Sequence, residues 1–184
     1  MKLKLAVLAL IVTATTLNAF AEIADSAANG FTYKTTLQLS APPDAVYQKL
    51  LSIGNWWSSS HTFSGDAHNM SIDPKAMGCW CEKLPSGGGV RHMQVVNVMP
   101  GKMLVMTGGL GPLQSMAATG SMTFRLSPAN GGTKLDVMYA VTGYFPGGTG
   151  QLTGPVNTVL DEQFARFKSY VETGNAAPAE SQKK

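Results

Sequence analysis

Charge is scarce in this chain: only 14% of its 184 residues are Asp, Glu, Lys or Arg. Beyond Ala21 the basic and acidic side chains number 12 and 11, a net of +1. A domain so close to neutral lacks the basic footprint that nucleic acid demands, so no nucleic-acid partner is expected. Cysteine is scarcer still. Cys79 and Cys81 are the only two, too few for a disulfide framework and spaced C-x-C rather than the redox-active C-x-x-C. Long apolar runs are missing as well. Leu5 to Val12 is unbroken but only eight residues long, against the roughly 20 that a membrane-spanning helix requires. There is no G-x-S-x-G, no H-E-x-x-H and no phosphate loop. The glycine-rich stretches Gly108–Gly111 and Gly147–Gly150 lack both the dinucleotide spacing and a following Lys-Ser/Thr, and they read as loops.

What is present is a globular chain, 44% hydrophobic, which is too apolar to stay disordered. Its first 21 residues read as a signal peptide. Lys2 and Lys4 form a basic start, Leu5–Val12 the apolar run, and Ala19-Phe20-Ala21 a small-x-small cleavage site. The expected product is periplasmic or secreted, cut near Ala21 and without a stable membrane anchor. Residues 22–30 are small and polar and read as a flexible lead-in, and residues 175–184 (NAAPAESQKK) as a disordered tail. One domain, residues 31–174, remains between them.

Inside it, period-two patterning marks strands with one apolar and one wet face, the antiparallel habit. Phe31, Tyr33, Thr35, Leu37 and Leu39 share one side, Met122, Phe124 and Leu126 another, and Leu135, Val137, Tyr139 and Val141 a third. Met99-Pro-Gly-Lys102 and Asn130-Gly131-Gly132 supply turns between strands. Further strands are expected at 93–99, 103–107 and 78–84, with a short one near 70–72. Pro42-Pro43-Asp44 starts a helix that presents Val46, Tyr47, Leu50 and Leu51. A second helix is expected to open at Gly154-Pro155 and close at Gly174. Val156, Val159, Leu160, Phe164, Phe167 and Val171 lie on one face of it, with Glu162 and Arg166 as an i, i+4 pair. About twenty residues make a rod of roughly 30 Å, long enough to lie across a sheet.

Strand, helix, a run of antiparallel strands and a long last helix, together with several local stretches, resemble the START-like or SRPBCC superfamily. The stretches are Ala41-Pro-Pro-Asp-Ala-Val-Tyr47, Asn55-Trp56-Trp57, Ser60-His-Thr-Phe-Ser-Gly-Asp66, Leu110-Gly-Pro-Leu-Gln114 and Leu160 to Glu172. That superfamily includes polyketide cyclases, lipid-transfer domains and the heat-shock ATPase activator domain. The resemblance spans residues 31–174 and implies an α+β helix-grip fold, a curved antiparallel sheet of about six to seven strands wrapped around the C-terminal helix. It also implies a cavity between sheet and helix that takes a hydrophobic small molecule or lipid.

Residues compatible with lining such a cavity are Trp56, Trp57, Met93, Met106, Tyr139, Phe164 and Phe167. The adjacent tryptophans stand on an expected turn, where at least one should be partly exposed, and flexible methionines suit an adaptable pocket. Catalytic candidates are few: His61, Asp66 and His92, with Asp73 and Arg91 behind them. If an enzyme of cyclase, dehydratase or hydrolase type, the protein would work without a cofactor, and no cofactor is expected. A soft-metal site could draw on His61, His68, Cys79 and Cys81, but their spacing matches no ligand pattern, and none is expected. Cys79 and Cys81 point to the same side of a strand, about 6.6 Å apart along it. A bond between them needs a bent backbone, and the reading is two unbridged thiols, although an oxidising compartment favours the bridge. Three functions remain open: an exported carrier for a hydrophobic small molecule or lipid, an enzyme acting in the same cavity, or a protein-interaction domain like the activator relatives.

Overall fold

The computed structural model describes residues 22–177. The expected signal peptide, residues 1–21, and residues 178–184 of the expected tail lie outside that range. A single antiparallel sheet of eight strands forms the body of the molecule. In chain order these are β1 (Glu22–Ala27), β2 (Gly30–Leu39), β3 (Met70–Ile72), β4 (Cys79–Lys83), β5 (Gly89–Met99), β6 (Met103–Thr107), β7 (Ala118–Ala129) and β8 (Gly132–Gly143). Two α-helices accompany them, α1 (Pro43–Leu51) between β2 and β3 and α2 (Gly150–Thr173) at the end. The sheet order is β1-β2-β8-β7-β6-β5-β4-β3. Strands β3 to β8 form one meander, and β2 closes on β8 over ten paired positions, Gly30↔Thr142 to Leu39↔Thr133. The α+β helix-grip arrangement expected from the sequence is the fold.

The alternation read from the sequence decides which face turns inward. Tyr33, Phe124, Leu135, Val137 and Tyr139 are all buried, and they meet Leu160, Phe164, Phe167 and Val171 of α2 in one core that α1 completes with Val46, Tyr47 and Leu50. Burying the four α2 side chains stabilises the domain by about 6–12 kcal/mol. Gly174 ends α2 in the left-handed conformation, with its N–H returned to the Tyr170 carbonyl at 3.0 Å.

Several details differ from the sequence reading. Residues 22–30 are not an unpaired lead-in, because β1 pairs with β2 through a bulge at Ile23–Asp25, and this is the eighth strand. Its polar side chains leave no apolar period to read, yet the edge of β2 offers free backbone groups that a strand can satisfy. At the other end, Ala176 is buried, and the Ser169 hydroxyl donates to the carbonyls of Asn175 and Ala177. Helix α2 starts at Gly150, one turn before Gly154-Pro155, and Pro155 lies inside it. The extra turn is tethered where the Thr149 hydroxyl donates to the Ala27 carbonyl of β1 at 2.6 Å. Glu162 and Arg166 do not pair along the helix but reach off it. Glu162 meets His61 at 3.1 Å, and Arg166 Nε donates to the Trp56 carbonyl at 3.0 Å.

Cys79 and Cys81 form a disulfide, which corrects the expectation of free thiols. The backbone is drawn in there, with the two Cα atoms 5.4 Å apart instead of the roughly 6.6 Å of a fully extended strand. Between Trp80↔Met93 and Cys81↔Arg91 the register of β4 against β5 slips by one residue, and His92 is the extra residue of the bulge.

Candidate functional site

A cavity of about 440 Å³ opens between the sheet and the N-terminal half of α2. Trp57, His61, Thr62 and Phe63 approach from the loop after α1, His92 from β5 and Tyr139 from β8. Leu110, Gly111, Pro112 and Leu113 come from the β6–β7 connection, and Leu152, Pro155, Val156, Val159 and Leu160 from α2. The wall is overwhelmingly apolar, as in sites that bury most of a small molecule's surface.

The loop between α1 and β3 owes its position to contacts with α2. Buried Gln163 accepts the Ser58 N–H at 2.7 Å, and Arg166 holds the Trp56 carbonyl. Trp56 is 1% exposed and Trp57 6%, so neither is the partly exposed residue expected of the pair. Trp56 packs on Phe167 with ring centroids 5.0 Å apart and donates its indole N–H to the Leu50 carbonyl. Trp57 meets Trp80 edge-on at 4.8 Å, donates to the His61 carbonyl and presents a face to the cavity. The β6–β7 connection is held down by Tyr139. Its hydroxyl donates to the Gly108 carbonyl and accepts the Leu110 N–H, each at 3.2 Å. Burial pushes the Tyr139 phenol up to about 12, so it stays protonated. Gly108 is required by close approach: a Cβ there would stand 2.4 Å from the His92 carbonyl oxygen.

Of the seven residues expected to line a pocket, the fold brings Trp57 and Tyr139 to the cavity wall, while Trp56, Met93, Met106, Phe164 and Phe167 sit in the packed core. Of the catalytic candidates, His61 and His92 reach the wall. Asp66 does not. It caps the turn Ala67–Asn69, accepting the His68 N–H at 2.9 Å and the His68 imidazole at 2.8 Å. Asp73 is engaged with Lys75 at 2.9 Å, and Arg91 is an exposed residue outside the wall. The weighed metal set is not assembled either. Cys79 and Cys81 spend their thiols on each other, and no cluster of three potential ligands occurs among the described residues.

The residue that sequence reasoning missed is Glu82. It is 2% exposed, and one of its carboxylate oxygens, Oε2, lies 2.9 Å from Nε2 of His92, itself 3% exposed. Glu82 also accepts the backbone N–H groups of Phe63 and Ser64. Burial alone would raise the Glu82 carboxyl, but these hydrogen bonds outweigh it and hold it below its ordinary value, so it is ionised. Burial pulls His92 below its ordinary value despite the neighbouring carboxylate. The signal for Glu82 was in the text. In Cys79-Trp-Cys-Glu82 the carboxylate shares the inward face with Trp80, and a charge on the apolar face of a strand needs a partner. His92 turns inward beside Met93 because of the bulge, which breaks the alternation that would set the two on opposite faces.

The sequence matches no protein-family model and no curated protein. Solved structures do match. Protein CV1439 of Chromobacterium violaceum aligns over 77% of this chain and 96% of its own, with 17% identity and a TM-score of 0.54. The Aha1 dimer of Colwellia psychrerythraea aligns over 78% and 97%, at 17% identity and a TM-score of 0.53. DynU16, a protein of the dynemicin biosynthetic locus, aligns over 79% of this chain and 48% of its own, at 16% identity and 0.54. At such identities the likeness shows the fold alone, an antiparallel sheet with a long C-terminal helix. No helix among the described residues is long and apolar enough to cross a membrane.

Proposed function

We propose that this protein is an exported binding or carrier domain that holds a hydrophobic small molecule or lipid between its sheet and its C-terminal helix. The observation that carries the reading is the apolar cavity of about 440 Å³ between sheet and helix, the size of a small-molecule site. Export is supported by the composition of residues 1–21 and by the Cys79–Cys81 disulfide, which suits an oxidising compartment. Native mass spectrometry of the protein taken from its own host tests the proposal. A bound apolar molecule released on activation is the expected result. A bare chain that also shows no shift when titrated with fatty acids, quinones and sterols overturns it.

A second reading, an enzyme of cyclase, dehydratase or hydrolase type in the same cavity, draws on the Glu82–His92 pair. A carboxylate that orients an imidazole is a common general-base arrangement. Conversion of a co-purifying ligand by the protein, lost in His92→Gln, would favour this reading over simple carriage.

A further inference from the structure

Of the polar side chains on the cavity wall, only the two histidines keep a ring nitrogen without a hydrogen-bond partner among the described residues, and of these only His92 is buried. Tyr139 is held by Gly108 and Leu110, the Thr62 hydroxyl donates to the Ser59 carbonyl at 2.8 Å, and His61 pairs with Glu162 at the more exposed rim. His61 Nδ1 lies at the rim, where the side chain is 32% exposed and water can serve it, whereas His92 is enclosed. Its Nε2 faces Glu82, and its Nδ1 has no hydrogen-bond partner among the described residues. Among the described residues, the sealed polar atoms that lack partners are Tyr47 Oη, Trp80 Nε1, Asn157 Oδ1 and Gln163 Nε2. His92 Nδ1 is not one of them, because the ring forms part of the cavity wall.

The direction of its hydrogen bonding follows from Glu82. An ionised carboxylate only accepts, so the proton between the two residues belongs to Nε2, and a neutral imidazole then carries a lone pair on Nδ1. Glu82 is fixed in turn by the Phe63 and Ser64 N–H groups, and the ring is held between Trp80 and Phe63 at centroid distances of 5.5 and 5.9 Å. The lone pair therefore has a fixed position in an apolar chamber.

We infer that His92 Nδ1 is the acceptor that anchors the ligand, and that the cavity selects apolar molecules carrying a single O–H donor, a phenol or an alcohol, over pure hydrocarbons and over carboxylates. This inference rests on the cavity being a ligand site and specifies what the site recognises. A hydrocarbon leaves Nδ1 unpaired when it displaces water, which costs affinity. A carboxylate brings no donor and adds a second negative charge near buried Glu82.

Three probes of one shape separate the possibilities: naphthalene, 2-naphthol and 2-naphthoate, titrated calorimetrically into the protein at neutral pH. The expected result is 2-naphthol binding about tenfold more tightly than naphthalene, the worth of a good buried hydrogen bond, with 2-naphthoate weakest. In His92→Phe the ratio of 2-naphthol to naphthalene affinity should fall to about one. A direct reading on the unsubstituted protein covers the chance that this variant does not fold. With 15N-labelled histidine, His92 should show a protonated Nε2 and a bare Nδ1, whose resonance moves with 2-naphthol and not with naphthalene. Equal binding of naphthalene and 2-naphthol, tightest binding of 2-naphthoate or a proton on Nδ1 overturns the inference and leaves the cavity reading standing. Failure of all three probes to bind overturns the inference as well, and the cavity reading then stands or falls on the titration with fatty acids, quinones and sterols.

Discussion

Glu82 accepts hydrogen bonds from Phe63, Ser64 and His92 at a place that water does not reach. Glu82→Ala would leave two backbone donors and an imidazole buried without partners. The expected loss is about 3–5 kcal/mol of unfolding free energy, measured by urea denaturation. Trp57 is in a different position. It packs edge-on against both Trp56 and Trp80 while facing the cavity, so Trp57→Ala should cost about 3–5 kcal/mol through lost burial and should weaken ligand binding as well. A cleaner probe of the cavity is Val156, half-buried on α2 with its side chain on the wall. Val156→Trp should block ligand uptake, read by native mass spectrometry, while moving the denaturation midpoint little, since the ring enters space that no side chain fills.

At the scale of elements, α2 decides whether the sheet has a core at all. Leu160, Phe164, Phe167 and Val171 are buried against it, and the 6–12 kcal/mol they supply is comparable to the whole stability of a domain. A chain ending before Gly150 should therefore show no cooperative melting transition by circular dichroism. The β4–β5 hairpin depends on a smaller device. The disulfide spans only Trp80, so by chain-entropy reasoning its removal in the Cys79→Ser, Cys81→Ser double variant should cost about 1–2 kcal/mol, read as a shift in urea midpoint. Because His92 is the extra residue of the bulge opposite that bond, any loosening of the bulge acts on the cavity wall.

For the whole molecule, the buried Glu82–His92 pair makes stability depend on pH. His92 lies below its ordinary value in the fold. From about pH 6.5 downward the unfolded chain therefore binds a proton that the folded one refuses, and stability falls with acid. Glu82 also lies below its ordinary value, so its contribution is full above the ordinary carboxylate range and is lost as pH drops through its lowered one. Asp161, raised by burial, works weakly in the opposite direction. The melting temperature should be highest near neutrality and decline below about pH 6.5, as a fluorimetric pH series would show. A flat profile down to about pH 4 would mean that His92 is not held neutral.

Local repetition settled much of this architecture in advance. Period two in Phe31–Leu39 and Leu135–Val141, the proline start of α1 and the glycine stop of α2 each depend on neighbours a few residues away, and a linear text records such neighbours. The same text showed which side chains were apolar, but not which apolar faces would meet and which would border a void. Phe164 and Phe167 met the sheet, whereas Val156 and Val159, about two turns and one turn earlier on the same helix, faced a cavity. Strand β1 had no apolar period to announce it and exists because β2 left an edge to pair. The site itself joins Phe63, Glu82 and His92 from three segments through a register slip of one residue. Pairing energies across a whole sheet fix such a slip, and no residue's nearest neighbours contain them.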